Sequence, residues 1–315
     1  LRTKYHLENK FRRLKKKQRM SSTEAGAEVT ASHNIKDAPP TATENTEDAN
    51  IAECAKVDNE IVLQNELNDA QLKQIEEEQK VHPLIGDKIP IESLIIEYDP
   101  ETSKEYHNKA KELAETYCDI RQMRRDGNCF YRALLVAEIE LMYKSKEELY
   151  RFETVCKGWQ KRLMDLGFPD FTTADFCEYF YEWLTPIKNA EKTMTEVFDE
   201  LSDDGHANYL ILFLRLITSG YLKENSDEYT PFIDDTYKNL SEYCQIEIEV
   251  MWKDADHIAV TGLVNAIGRA IRVEYMDQSA APNGGWHYDF PPDKEDDPQI
   301  TLLYRPGHYD LIYKK

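Results

Sequence analysis

The patterning of apolar residues changes along this 315-residue chain, and that change constrains its fold more than any other feature. Most of the stretch from about residue 103 to residue 268 has the patterning of helices. After residue 270 apolar and other side chains alternate, which predicts strands. The predicted strands are Ala270–Met276, Gln299–Tyr304 and His308–Tyr313, with a Pro/Gly/Asp-rich hairpin region at 280–297. The sequence therefore predicts the α+β class, with a helical shell over a small sheet.

The predicted helices fill most of the first two thirds of the globular part of the chain. A capping box at Ser145 and Glu148 begins one of them, and Gly167 ends it. The others are predicted at Ser103–Tyr117 and Cys129–Tyr143, and at about 173–185, 192–201, 206–222, 237–250 and 257–268. The sequence contains no internal repeat.

Composition divides the chain into three parts. Residues 1–19 carry nine Lys or Arg against one Glu, and because the chain opens on Leu we expect them to be dispensable or absent from the working protein. The remainder of 1–50 offers almost nothing bulky to bury, which predicts a disordered acidic tail. Residues 51–80 contain a narrow amphipathic helix at Asn59–Gln79, and 81–315 have the apolar density of one globular domain.

Two of these segments have more than one interpretation. The basic run Arg12–Arg19 is also typical of a nuclear-import signal or of a patch that binds an anionic surface. The helix at Asn59–Gln79 either leans on the domain that follows it or presents its apolar stripe to a partner.

The acidic balance of the chain restricts its partners. It carries 59 Asp or Glu against 39 Lys or Arg, a net charge of −20. We do not expect nucleic acid as a partner, because phosphate binding needs a basic face. No apolar run approaches the roughly 20 residues of a membrane helix, and none follows the N-terminus as in a signal peptide. We expect a soluble cytoplasmic protein, with the nucleus as a second location, that favours partners with basic surfaces.

Cysteine chemistry is the first candidate for catalysis. The six cysteines form no C-x-x-C pair, which argues against a zinc knuckle or a dithiol redox site, and we expect reduced thiols. Cys129 stands apart because the turn-forming Asp126-Gly127-Asn128 leads directly into the predicted helix that it begins. The free N–H groups and positive dipole end of a helix lower a thiol pKa and stabilise an oxyanion. The alternative is an ordinary buried thiol after a tight turn.

A nucleophilic cysteine needs a base, and His308 is the histidine best placed on rigid structure. It leads the last predicted strand, and Asp310 follows two residues later. Side chains at positions i and i+2 of a strand share a face, so Asp310 can accept the second N–H of the imidazole while Tyr309 points into packing. The alternative is a solvated sheet face. His257 follows Asp256, which we expect to cap a helix.

The two segments Asp126–Arg132 and Arg305–Asp310 together resemble the catalytic signature of the ovarian-tumour-domain (OTU) cysteine proteases, and among these most resemble the otubains. Further otubain-like stretches are Leu214–Leu222, Asp256–Ile258, Val273–Asp277 and Leu302–Gly307. The resemblance covers roughly residues 70–315. It implies a papain-like OTU domain, with helical subdomains packed around a small, mainly antiparallel sheet.

The resemblance also implies a deubiquitinase that cleaves the isopeptide bond between the C-terminal glycine of ubiquitin and a lysine. Cys129 would be the nucleophile, His308 the general base and then acid, and Asp310 the residue that orients His308. Asp126 would belong to the loop whose backbone N–H groups, with that of Cys129, form the oxyanion hole. We expect Asp126 to act mainly by shaping that loop. No metal ion or organic cofactor is implied.

The implied partners are ubiquitin and polyubiquitin chains of the linkage that targets substrates to the proteasome. Some otubains also bind ubiquitin-conjugating enzymes and suppress ubiquitin transfer without using their cysteine, and a helix before the domain then contacts ubiquitin. The segment Asn59–Gln79 lies where that helix would be, so a non-catalytic binder is the alternative function. A pseudoenzyme is disfavoured because all three chemical positions are filled. A single catalytic domain is most simply a monomer.

Acidic side chains beside the cleft would complement the arginine-containing C-terminal tail of ubiquitin. The candidate clusters are Asp203–Asp204, Asp227–Glu228 and Asp234–Asp235. The alternative for each is a solvated loop.

Overall fold

The computed structural model describes Glu77 and residues 80–277, 287–292 and 297–315. The predictions made for residues 1–50, and for 51–80 apart from Glu77 and Lys80, lie outside these residues. The chain divides after Val81, and every element named below belongs to His82–Lys315.

Residues 82–315, as far as the structure describes them, contain ten α-helices and six strands, together with a 3-10 helix (Thr230–Phe232) and a π-helical segment (Cys244–Ile248). The helices are α1 (Ser93–Glu97), α2 (Lys104–Thr116), α3 (Cys129–Lys144), α4 (Lys146–Asp165), α5 (Asp170–Lys188), α6 (Met194–Leu201), α7 (Asp204–Glu224), α8 (Ser226–Tyr229), α9 (Leu240–Tyr243) and α10 (His257–Ala266). The strands are β1 (Ile85–Pro90), β2 (Tyr117–Met123), β3 (Ile271–Tyr275), β4 (His287–Phe290), β5 (Ile300–Arg305) and β6 (His308–Lys314). None of these helices is long and apolar enough to cross a membrane.

The strands form one sheet in the order β1-β2-β6-β5-β3-β4. Every neighbouring pair is antiparallel except β3 and β5, which run parallel. The last strand, β6, therefore lies in the interior of the sheet, between β2 and β5. The predicted α+β class with a mainly antiparallel sheet is confirmed.

Helix α3 is buried around almost its whole circumference. A helix that is apolar on all faces needs neighbours on all faces, and α3 packs against β6 and α4. A separate apolar cluster joins α1 and α2 to the sheet, where Leu94 and Leu113 pack with Leu303 and Ile312. Because side chains alternate along β6, His308 and Asp310 share the face of Ile312. The core therefore fixes the position of both candidate catalytic segments.

Three of the six strands were not predicted, and all three carry weak apolar signals. Strand β1 contains Gly and Pro and has no fully buried residue, and β2 carries two charged residues among its seven. Strand β4 is a short edge strand within the predicted hairpin region. Main-chain pairing with the interior strands, rather than local patterning, makes these segments strands.

Two predictions about helices were wrong in detail. The hydroxyl of Ser145 caps α4 by accepting from the N–H of Glu147, while the Glu148 carboxylate pairs with Arg151 and Arg269, so the predicted capping box does not form. The stretch predicted as one helix at 237–250 is divided into α9 and a π-helical segment, Cys244–Ile248.

Candidate active site

Cys129 is the first residue of α3, and its side chain is 2% exposed. The turn before it depends on Gly127, whose φ of +72° is costly for any residue with a Cβ. The first N–H groups of an α-helix have no carbonyl four residues back to bind. The local sequence thus places Cys129 at the N-terminus of a helix, as predicted.

His308 begins β6 and is held by Asp310. The Nε2 atom of His308 lies 2.7 Å from Oδ1 of Asp310, and both side chains are buried. A proton on Nε2 leaves Nδ1 as the basic nitrogen, and Nδ1 is buried without a hydrogen-bond partner. Tyr309 packs its ring against Phe130 of α3. The i and i+2 positions therefore hold the pair that the strand pattern predicted.

Asp310 is ionised although it is buried. Burial alone would raise its pKa, but the hydrogen bond from His308, the positive charge of Arg305 and the N–H of Met123 hold the pKa below its ordinary value. The contacts are 2.7 Å from Arg305 Nη2 to Oδ2 and 2.9 Å from the Met123 nitrogen to Oδ1. A charged Asp310 fixes the orientation of the imidazole ring.

Cys129 and His308 are 179 residues apart in the chain, and the head of α3 and the start of β6 bring them to neighbouring positions. The N–H of Tyr309, next to His308 in the chain, lies 3.4 Å from Sγ of Cys129. Burial raises the pKa of Cys129 to about 12, against the opposing effects of the Tyr309 N–H and the charge of Arg132. Burial outweighs these two effects, so the lowered thiol pKa expected from the sequence is not found in the free protein.

Asp126 shapes the loop before Cys129. Its carboxylate binds Arg132 through two contacts, of 3.0 Å and 2.6 Å, and accepts from the N–H of Asn128 at 3.0 Å. Those contacts occupy both carboxylate oxygens, and the loop is closed against the first turn of α3. Arg132 was not singled out from the sequence, although it lies in the same motif.

Two further charged side chains at the site were missed. Arg305 binds Asp310 on one side and Glu97 and the Tyr98 hydroxyl on the other, so it joins the end of α1 to the catalytic strand. Asp254 lies beside the thiol in the cleft, and burial raises its pKa. The only sequence signal for Arg305 was its place in the resembling motif, and Asp254 had none.

A cleft beside the thiol passes between the helical part and the sheet. It is lined by Cys129, Asp254, Ala255, Asp256, Tyr304, Gly307 and Tyr309. Asp256 caps α10 through the N–H of Ala259, as expected, and also accepts from the Tyr243 hydroxyl. The cleft is therefore acidic on one wall and aromatic on another.

The acidic clusters singled out from the sequence do not line this cleft. Asp203 caps α7 and Asp204 pairs with Arg124, two residues before Asp126. The clusters Asp227–Glu228 and Asp234–Asp235 are exposed. Among the described residues, no group of three or more His, Cys, Asp or Glu side chains is arranged to hold a metal ion.

Comparison with known proteins identifies a single family. The profile of the peptidase C65 otubain family matches residues 77–314. A ubiquitin thioesterase, otubain-like, of Caenorhabditis elegans is 53% identical over 265 residues, which cover 84% of this chain and 92% of that protein. The ubiquitin thioesterase OTUB1 of Homo sapiens is 36% identical over 246 residues, covering 78% and 89%.

Solved structures show the same similarity. The ceOTUB1 chain in a complex with ubiquitin aldehyde and UBC13~Ub is 54% identical, with a TM-score of 0.75 over 78% of this chain and 99% of that one. A chain of h/ceOTUB1 with ubiquitin aldehyde and UBCH5B~Ub is 50% identical, with a TM-score of 0.77 over 81% and 99%.

Proposed function

The chain belongs to the otubain family, peptidase C65, and from that premise we propose that it hydrolyses the isopeptide bond between the C-terminal glycine of ubiquitin and a lysine side chain. The observation that carries this proposal is the convergence of Cys129, His308 and Asp310, which come from the head of α3 and from β6. The relatives are named ubiquitin thioesterases, and a thiol, a base and an orienting carboxylate are the groups such a cysteine protease uses.

In the proposed mechanism, Nδ1 of His308 takes the proton of the Cys129 thiol as sulfur attacks the glycine carbonyl. The negative charge that develops on the carbonyl oxygen is stabilised by N–H groups at the head of α3. His308 then gives the proton to the departing lysine amine, and a thioester remains on Cys129. A water molecule, deprotonated by His308, hydrolyses this thioester and releases ubiquitin.

Asp310 and Asp126 act on this chemistry without forming bonds to substrate. Asp310 keeps the proton of the neutral imidazole on Nε2, so that Nδ1 is available as the base. Asp126 holds the loop closed through Arg132 and Asn128. Because the thiol of the free protein is neutral, productive proton transfer to His308 accompanies the binding of ubiquitin in this proposal.

The substrate class we propose is polyubiquitin of the proteasome-targeting linkage. The support for the linkage is the family resemblance. The acidic wall of the cleft, with Asp254 and Asp256, complements the arginine-bearing tail of ubiquitin.

The test is cleavage of a panel of di-ubiquitin linkages by purified wild type, Cys129→Ala and His308→Ala. We expect the wild type to cleave and both variants to lose activity by at least about 10³-fold, since the residues of such a triad act as a unit. Cys118→Ala, at a half-exposed cysteine outside the cleft, is the control and retains activity. Undiminished cleavage by Cys129→Ala would contradict the proposal, as would a ubiquitin-based suicide probe that fails to label Cys129.

A second function, favoured by the solved relatives, is binding to ubiquitin-conjugating enzymes. The otubain chains of two similar structures are in complexes with UBC13~Ub and UBCH5B~Ub. We propose that this chain also suppresses ubiquitin transfer by a charged conjugating enzyme, with residues 51–80 contacting ubiquitin.

Deletion of residues 51–80 separates the two functions. In a chain-synthesis assay we expect the deletion to relieve suppression, whereas Cys129→Ala suppresses as well as the wild type. Suppression that survives the deletion would show that these residues have no part in it.

A further inference from the structure

Arg215 of α7 is a fully buried cation whose hydrogen-bond partners are all neutral. Its guanidinium donates to Oδ1 of Asn128 at 2.8 Å and 3.2 Å, to the carbonyl of Gly127 at 2.8 Å, and to the carbonyls of Ile248 and Lys253 at 3.1 Å and 2.6 Å. Its guanidinium carbon lies 4.2 Å above the Tyr131 ring. No carboxylate of the described residues is hydrogen-bonded to this guanidinium. The charges of Asp126 and Asp254 reach it only through space, and a buried charge without a hydrogen-bonded carboxylate is costly.

Two of its partners belong to the loop that delivers Cys129. Asn128 is the N-cap residue of α3, a position where an Asn side chain ordinarily accepts from the N–H groups of the first turn. Here it makes no such bond. Its Oδ1 instead accepts twice from Arg215 and once from the N–H of Trp252. The hydrogen bonds to Arg215 therefore hold the Asn128 side chain away from the N–H groups of the first turn of α3.

The consequence is a helix end whose N–H donors are left free. The N–H of Arg132 bonds to the carbonyl of Asn128 at 2.9 Å and is the first to find a partner one turn back. The N–H groups of residues 129–131 precede it, and the Asn128 side chain does not cap them. The Asn128 N–H is itself held by Asp126. The first turn of α3, next to the sulfur, thus retains N–H donors that the Asn128 side chain does not bind.

We propose that Arg215 is a positioning residue for the oxyanion hole: it fixes the Gly127–Asn128 loop and keeps the Asn128 side chain from capping α3, so that the first N–H groups of α3 can bind the oxyanion. This inference rests on the proposed cysteine protease activity and deepens it. Arg215 touches neither the reacting sulfur nor the substrate in this proposal and acts through the loop.

Only a guanidinium fits this arrangement. Its planar fork carries five donors in fixed directions, and here they reach three separate backbone segments, at Gly127–Asn128, Ile248 and Lys253. The Gly127–Asn128 loop is tightly packed, because a Cβ on Gly127 would lie 2.2 Å from the Trp252 carbonyl oxygen. A lysine keeps the charge but offers one ammonium group in place of the fork, so it cannot hold the three segments together.

The experiment compares Arg215→Lys, Asn128→Ala and the matched control Arg269→Lys. Arg269 is another buried arginine with several hydrogen bonds, to Glu138 and Glu148, and it does not line the cleft. For each protein we measure thermal unfolding, kcat and KM on a fluorogenic ubiquitin amide, and the affinity for ubiquitin aldehyde. The aldehyde adds the Cys129 thiol across its carbonyl to give a hemithioacetal, with no group leaving, and so reports on oxyanion binding.

We expect Arg215→Lys to lower kcat about 100-fold, as the loss of an oxyanion-hole donor does, with KM within threefold of the wild type. The affinity for ubiquitin aldehyde falls by a similar factor. Asn128→Ala, which removes the acceptor from the loop side, lowers both quantities at least fivefold. Arg269→Lys keeps kcat within twofold, because its contacts are elsewhere.

Other results would overturn the inference. Folded Arg215→Lys with kcat within threefold of the wild type, or with reduced kcat but undiminished aldehyde affinity, excludes the positioning role. If Arg215→Lys does not fold, Asn128→Ala decides by the same two criteria. A wild type that cleaves no ubiquitin amide removes the proposed function itself, whereas equal cleavage by wild type and Arg215→Lys removes only the inference.

Discussion

At the residue scale, the state of Cys129 is decided by a competition between two local effects. The head of α3 favours a thiolate, while burial favours a neutral thiol. The second effect is larger, and the pKa is raised to about 12. His308 does not offset it in the free protein, because Nδ1 has no hydrogen-bond partner.

This balance predicts how Cys129 reacts with a small alkylating reagent. With a pKa of about 12, only about one thiol in 10⁵ is ionised at pH 7, because each pH unit changes that ratio tenfold. Labelling of the free protein by iodoacetamide, followed by mass spectrometry of the Cys129 peptide, should therefore accelerate about tenfold per pH unit between pH 7 and pH 9. A rate that levels off below pH 8 would instead indicate a preformed thiolate paired with His308.

At the scale of elements, the active site depends on the turn that joins β2 to α3. Gly127 has a left-handed φ, and the Trp252–Lys253 backbone presses against it. Trp252 also has a positive φ, of 64°, which non-glycine residues adopt at a cost. Two loops distant in sequence are thus held in contact, with Arg215 bonded to both.

Alanine substitution tests two properties of Gly127, its left-handed φ and its close approach to the Trp252–Lys253 backbone. Gly127→Ala meets both the φ penalty and the clash with the Trp252 carbonyl, so it should abolish cleavage and destabilise the fold by more than about 3 kcal/mol. Gly167→Ala is the control, because Gly167 has a φ of +85° but nothing within 4 Å of an added Cβ.

The control should lose only about 1–2 kcal/mol and keep its kcat. Urea unfolding and the ubiquitin-amide assay measure both effects. Equal destabilisation of the two variants would show that the Trp252–Lys253 backbone can move away from a Cβ at position 127.

At the scale of the whole molecule, net charge and local charge act differently. The chain carries a net charge of −20, but the acidic side chains that line the cleft are Asp254 and Asp256, and in the proposed complex these contact the C-terminal tail of ubiquitin. The exposed clusters singled out from the sequence lie outside the cleft. Long-range electrostatic attraction therefore affects the rate at which the protein and ubiquitin meet. The cleft residues affect the affinity of the complex that forms.

Varying the salt concentration distinguishes the effect of long-range attraction from that of the cleft residues. Raising NaCl from 50 to 500 mM should lower kcat/KM on ubiquitin amide about three- to tenfold through KM, with kcat nearly constant, because the Debye length shortens to a few ångströms. Asp254→Asn should raise KM and weaken this salt dependence. Asp227→Asn, at an exposed position outside the cleft, is the control and should change neither. A KM that is independent of salt would contradict electrostatic guidance.

The α+β class, the helix that begins at Cys129 and the shared face of His308 and Asp310 could all be predicted from the amino-acid sequence. These follow from periodicity and turn chemistry, which are properties of neighbouring residues. The family resemblance rests on two contiguous motifs, Asp126–Arg132 and Arg305–Asp310.

Strands β1, β2 and β4, the raised pKa of Cys129 and the partners of Arg215 depend on tertiary packing and could not be predicted from the sequence. Strands β1, β2 and β4 form because their main chains pair with neighbours across the sheet. The Cys129 pKa depends on how completely the domain closes over the sulfur. Arg215 and Asn128 are 87 residues apart, and no local pattern shows which carbonyls a buried cation will meet. Contacts of this kind depend on how the elements pack, because burial and long-range hydrogen bonding exist only once the chain has folded.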